Sequence, residues 1–305
     1  MKSTNHKLLT IVALIVTVML TSCKESSTKN NTTETNTDIK LKITTPQPSP
    51  LARIEQRVGL TDISIEYSRP GVKGRTIFGD LIPYGKIWRT GANANTKITF
   101  SSNVIIDGQS LKAGSYAIYT IPKNNEWEVL FYSETNNWGV PKDWDYNKVV
   151  ARTSVKEIPM PMTIETFTIV FNELTNSSAV IGLLWEKTYV GIKFEVPTDQ
   201  MVMTTIDAVM ESNPTSIDYY NAAIYYNQQN KDIQKANKWM EKAMSMTEKP
   251  AFWQLRQQSL IYAKMGDIKK AIEVAKKSLS LSKEAENDDY IKMNTKSLKE
   301  WGVQL

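Results

Sequence analysis

Histidine and cysteine are nearly absent: the 305 residues hold one of each, His6 and Cys23. From residue 24 onward there is neither. Ser-His-Asp and Cys-His catalysis, histidine-ligated metals and imidazole proton transfer therefore have no residues to draw on there. Charge of one sign is also scarce. The formal net charge of +5 falls to +3 once Lys2 and Lys7 are set aside. The remaining Lys and Arg are dispersed, so nucleic acid is not an expected partner. No glycine motif for cradling phosphate opens a helix, no Ser-x-x-Lys sits in a convincing context, and no cofactor or metal is expected. Asp143-Trp144-Asp145 offers oxygen ligands but lacks the spacing and glycine of a calcium loop.

Long hydrophobic runs are missing too. The longest uncharged apolar stretch, Leu8 to Leu20, has thirteen residues. As a helix it spans about 20 Å, short of a hydrocarbon core of roughly 30 Å. A basic start, a short apolar core and small residues before a cut site read as a secretory signal. The run Leu20-Thr21-Ser22-Cys23 resembles the lipobox of bacterial lipoproteins, with residues 1–22 removed and Cys23 acylated. The rival reading is an uncleaved membrane anchor. Under the lipoprotein reading the mature chain has no histidine and no free thiol. Lys24-Glu25 lacks the Asp that retains lipoproteins at an inner membrane, so an outer-membrane lipoprotein of the cell envelope is expected, on either face.

Residues 23–50 are rich in Ser, Thr, Asn and Pro. Such composition cannot repay the entropy of ordering. It predicts a tether reaching roughly 30 Å from the lipid.

From Leu51 the pattern is short alternating segments separated by turn signals. Ile54–Val58 and Ile63–Tyr67 flank Gly59, and Val104–Ile106 enters the hairpin signal Asp107-Gly108. Gly114–Ile121 and Trp127–Tyr132 follow, then Val149–Ile158, Phe167–Asn172, Ala179–Glu186 and Thr188–Val196. The expected fold is a β sandwich or barrel-like antiparallel domain over residues 51–212, followed by a small all-α helical-hairpin (tetratricopeptide-like) domain over 213–305. In the second part Asp232, Ala236 and Ala243 match Asp267, Ala271 and Ser278, each thirty-five residues on. Tyr226 and Tyr262 precede the turns. This resembles two tetratricopeptide repeats, with generic helical hairpins as the alternative. Two repeats are fewer than a free-standing solenoid needs, so the tail is expected to pack on the β domain or on a protein partner. A single helix is expected over Thr204–Ser212 and a capping helix over Glu284–Trp301.

One segment stands apart. Between Ser68 and Asn95 the chain carries no strand pattern, but it is dense in glycine and in hydrogen-bond donors: Arg69, Arg75, Trp88, Arg89, Asn93 and Asn95. An ordered loop of this length is often functional, and arginines beside an aromatic and an amide can grip a carboxylate, a phosphate or a sugar. The structural alternative is that Arg75 and Arg89 tie the loop to carbonyls or to Glu66 and Glu186, with Trp88 plugging the sandwich. Trp138 and Trp144, in a polar segment, are available for stacking on a sugar.

The strings Gly-Arg-Thr-Ile-Phe-Gly, Pro-Tyr-Gly-Lys-Ile-Trp-Arg-Thr-Gly-Ala-Asn, Ala-Gly-Ser-Tyr-Ala-Ile-Tyr-Thr-Ile-Pro and Leu-Trp-Glu-Lys-Thr resemble the domain of unknown function numbered 2911. The resemblance runs over roughly residues 51–210. It implies an exported Bacteroidota protein with a β-rich fold, and it implies no activity. Two functions remain in view. The first is a lipid-anchored envelope binding or assembly protein without catalytic apparatus, taking a glycan or a small anion near Arg69–Asn95 and a protein segment at the tail. The second is a carboxylate-dependent glycan hydrolase, for which Glu66, Asp80, Asp143, Asp145 and Glu186 are the candidates.

Overall fold

Every strand among the described residues pairs antiparallel with its neighbours. A computed structural model describes residues 43–304; the lipobox, Cys23 and most of the tether fall outside that range. Nine strands follow the order β1-β2-β3-β6-β7-β8-β9-β4-β5. They are β1 (Leu51–Val58), β2 (Thr61–Ser68), β3 (Thr96–Phe100), β4 (Val104–Ile106), β5 (Gln109–Leu111), β6 (Gly114–Lys123), β7 (Glu126–Tyr132), β8 (Val149–Asn172) and β9 (Ser178–Glu195). The alternation that predicts them is visible in burial. Ile63, Ile65 and Tyr67 of β2 and Ile98 and Phe100 of β3 point into the core while their neighbours stay wetter. The β4–β5 hairpin turns on Asp107 and Gly108, both at positive φ (50° and 74°), as a type I′ turn requires.

The last four predicted strands are two. β8 and β9 are long and serve both layers: the first half of β8 pairs with β7, its second half with β9. The bend lies where the β8–β9 register shifts, between Pro159 and Ile164 and again before Thr168. Pro159 is the last paired residue before the gap and Pro161 lies within it; neither has an N–H to leave orphaned. Glu186, at φ 52°, makes the matching irregularity in β9. The two layers are then stitched together at one side. Phe167 N–H donates to the Pro70 carbonyl (2.8 Å) and Val72 N–H to the Glu165 carbonyl (2.7 Å). Tyr67 Oη accepts from Ile169 N–H at 3.0 Å. One core, running from Val58 to Val196, fills the space between.

Six helices follow: α1 (Thr198–Met210), α2 (Ser216–Gln228), α3 (Ile233–Ser245), α4 (Phe252–Lys264), α5 (Ile268–Glu284) and α6 (Asp288–Glu300). α1 starts six residues earlier than the sequence suggests, and α5 runs on to Glu284, so the capping helix begins only at Asp288. Its start is set by Glu286 at φ 50° and by Asn287, whose side chain accepts from Tyr290 N–H. Asp232 and Asp267 cap α3 and α5 in the same way, and Ala236, Ala243, Ala271 and Ser278 are buried between helices. Among the described residues no helix is long and apolar enough to cross a membrane.

The β and α parts meet at the β1–β2 turn. Gly59 has φ 55°, and a Cβ placed on it would stand 1.8 Å from Thr198 Oγ1 and 2.3 Å from the Asn176 carbonyl. Gly74 also has positive φ (71°) but open space around it. Both positions carry the strain of a left-handed backbone for any L residue, and only Gly59 adds overpacking. Gly59→Ala is expected to cost about 2–4 kcal/mol and Gly74→Ala about 1, read from urea unfolding midpoints. Equal losses would mean that the Gly59–Thr198 contact does not fix the junction.

Candidate functional site

The Ser68–Asn95 loop is ordered by burying one indole. Trp88 sits among aromatic side chains from both layers: it stacks on Trp185 (centroids 5.7 Å apart, 19° between planes) and meets Phe167 and Trp127 edge-on at 5.2 and 6.1 Å. Its backbone exchanges two hydrogen bonds with Thr120 of β6 (2.7 and 2.9 Å), and its Nε1–H donates to the Gly91 carbonyl at 3.0 Å. Every polar atom of the residue is thereby satisfied, which lets a tryptophan be buried. Ile77, Phe78 and Ile82 sink into the same core. The loop is thus fastened at both ends and in its middle.

The six sequence candidates divide into two kinds. Arg69 is a staple between layers: Nε donates to the Phe167 carbonyl at 3.0 Å and Nη2 to Thr168 Oγ1 at 2.8 Å. Asn95, 5% exposed, holds the neighbouring loop, its Oδ1 accepting from Asn137 N–H at 2.8 Å while its own N–H donates to the Asn137 carbonyl at 3.0 Å. Trp88, Arg75, Arg89 and Asn93 instead come together, with Trp185 and Ser49, around one cleft of about 350 Å³. Asn93 is fixed there at φ 59° by donating to the Ser49 carbonyl (3.1 Å) and Ser68 Oγ (3.3 Å).

The two arginines of the cleft differ. Arg75 spends Nε and Nη2 on the carbonyls of Val72 and Gly71 (3.0 and 2.6 Å), closing its own turn. Arg89 is half-buried, and its side chain makes no hydrogen bond or ion pair with another described residue; Nε is fully buried without a partner. Burial pulls its pKa below the usual arginine value, with Tyr119 alone opposing, and an arginine so placed still keeps its proton at neutral pH. Neither carboxylate expected to pair with it does so. Glu66 is engaged by Lys97 at 3.1 Å, and Glu186 forms no ion pair among the described residues. An uncompensated guanidinium in a cleft is costly. It is the arrangement expected where an anion supplies the missing partner.

The neighbouring loop, 133–148, covers a smaller aromatic cluster on the outer face of β6 and β7. Trp144 stacks on Tyr132 (4.5 Å, 26°) and meets Tyr119 edge-on at 5.0 Å. Trp144 is therefore occupied by packing. Burial raises the Tyr119 pKa to about 12, so it stays a neutral donor, to the Gly139 carbonyl at 3.2 Å. Trp138 is different, at 76% exposed. Asp145 accepts from Asn147 N–H and caps a short 3-10 turn. Among the described residues no group of three or more His, Cys, Asp or Glu is placed to hold a metal. A second cleft of about 340 Å³, largely apolar, lies where Leu60 meets α1 and α2. Sequence reasoning did not single it out, because Leu60 belongs to a turn and the α1 apolar face is short.

Residues 49–194 match the model of a family described as Protein of unknown function (DUF2911). The match ends before α1 rather than running to residue 210. All of the arginine cleft lies inside it, and all six helices lie outside. No curated protein and no solved structure matches the chain.

The contrast between the arginines gives a stability test. Replacing Arg69 removes its bonds to the Phe167 carbonyl and to Thr168 Oγ1, while the Thr168 hydroxyl keeps its bond to the Thr166 carbonyl, at a cost of about 2–3 kcal/mol. Arg89→Met removes a desolvated charge that pairs with no described residue and keeps the side-chain length. It is expected to leave the thermal midpoint unchanged or raise it, while Arg69→Met lowers it by several degrees. A large loss at Arg89 would assign it a structural partner.

Proposed function

We propose that the protein is a lipid-anchored binding protein of the cell envelope whose β domain takes a small anionic ligand in the Arg75–Arg89 cleft. The observation that carries the reading is the half-buried Arg89 guanidinium, whose Nε is buried without a partner and whose side chain bonds no acceptor among the described residues. Arg75 lends a second positive charge across the same cleft, Trp88 and Trp185 give it an apolar wall, and Asn93 lines its rim. A site that binds without reacting needs nothing more. None of the carboxylates weighed for hydrolysis lines this cleft, so no observation favours the hydrolase reading.

Attachment rests on Cys23. The lipobox and the tether behind it suit an exported lipoprotein of Bacteroidota type held at the outer membrane. The helical tail is assigned to a protein partner, as a tetratricopeptide-like pair of hairpins. The recurring Asp caps and the small residues buried thirty-five positions apart support that assignment.

Two measurements test the proposal. In cells fed an alkyne-tagged fatty acid, the wild-type chain is expected in the membrane fraction with label, and Cys23→Ala without label; label on the variant would remove the anchor. In thermal-shift titrations of the full chain in detergent, citrate or acetate near 100 times its dissociation constant is expected to stabilise by about 2.7 kcal/mol. Arg89→Met should abolish that shift. Equal shifts in both proteins would place any anion site elsewhere.

A further inference from the structure

The exposed indole beside the arginine cleft narrows the ligand class. Trp138 lies opposite Ala94 in a short antiparallel bridge, and Ala94 is flanked by Asn93, which lines the cleft, and by Asn95. The residues on both sides of Trp138 are fixed. Asn137 exchanges two hydrogen bonds with Asn95, and the Gly139 carbonyl accepts from Tyr119. The backbone that carries Trp138 is therefore pinned while its ring is left 76% exposed. Its neighbour in the loop, Trp144, shows that the protein can bury an indole here. A large exposed aromatic on a fixed backbone, bridged to the residue that follows the cleft-lining Asn93, is a binding feature, because its stacking surface costs little entropy to use.

We infer that the cleft binds an acidic saccharide, with a carboxylate held by Arg89 and the apolar face of the same or the next sugar ring laid on Trp138. This rests on the anion reading of the cleft and adds to it. A small acid alone would need the arginines and would have no use for Trp138. A neutral sugar would use Trp138 and leave the Arg89 charge unpaired. A sugar carboxylate uses both. The charge count agrees: Arg75 has already committed two donors to carbonyls, so one guanidinium fork remains open, and one fork matches one carboxylate in planar, two-point geometry.

The test uses the full chain in detergent micelles and three probes in calorimetric titrations: tri-galacturonate, cellotriose and citrate. Tri-galacturonate is expected to bind at least tenfold more tightly than citrate, and cellotriose more weakly than either. Trp138→Ala should weaken tri-galacturonate about tenfold and leave citrate unchanged, with Trp138→Phe restoring most of the loss. Near-universal retention of the thermal midpoint in both variants is expected, since the ring is exposed. Tri-galacturonate binding that is indifferent to Trp138→Ala overturns the saccharide inference and leaves the anion site standing. Cellotriose binding as tight as tri-galacturonate overturns it as well. Failure of both tri-galacturonate and citrate removes the anion reading, and this inference with it.

Discussion

The burial of Trp88 is the constraint on which the rest of the β domain depends. An unsupported loop of more than twenty residues would cost far too much chain entropy to hold in one shape. Here the cost is offset by sinking Ile77, Phe78, Ile82 and Trp88 into the space between the layers. The indole meets side chains from β7, β8 and β9 at once, so loop and sandwich are each other's core. Removing Trp88 would take away a packed aromatic and the closure of the sandwich at that end.

The cleft follows from this anchor. Arg89 is the next residue after Trp88, and its backbone carbonyl accepts from Thr96 N–H at 3.3 Å. Its position is therefore fixed on both sides without help from its own side chain. Arg256 of α4 is another arginine with a buried nitrogen left without a partner. Arg69 and Arg75 earn their places by bonding carbonyls, as most partly buried arginines do. Arg89 is held by its neighbours and left with its charge uncompensated, at a cost in stability that a bound anion would remove.

Much of this was legible beforehand, and the reasons are local. The β1–β2, β4–β5 and β6–β7 hairpins could be read from alternation, the first two also from Gly59 and Asp107-Gly108, since turn chemistry acts over two or three residues. That the 68–95 segment would lie outside the strands could be read from its glycines and its lack of alternation. The division of labour among its residues could not. Arg69 and Arg89 look alike in sequence, and only the long-range return of β8, which brings Phe167 and Thr168 to Arg69, separates them. The fusion of four predicted strands into β8 and β9 was hidden for a similar reason. The apparent ends at Ile158 and Glu186 are irregularities within continuous strands, where pairing shifts register and then resumes.

The Gly59–Thr198 junction joins the two halves of the molecule in a way that bears on function. The turn that reaches α1 is the far end of β1 and β2, whose other ends lead into Pro50 and the Arg69 loop; Arg69 N–H donates to the Pro50 carbonyl at 2.9 Å. The hairpin thus spans from the arginine cleft to the first helix. Its two strands are paired along their full length, and Gly59 leaves no slack at the helical end. The same hairpin end carries Leu60, which lines an apolar cleft with α1 and α2. The same rigidity makes the matched domain a platform, with the arginine cleft at one end of the hairpin and α1 at the other.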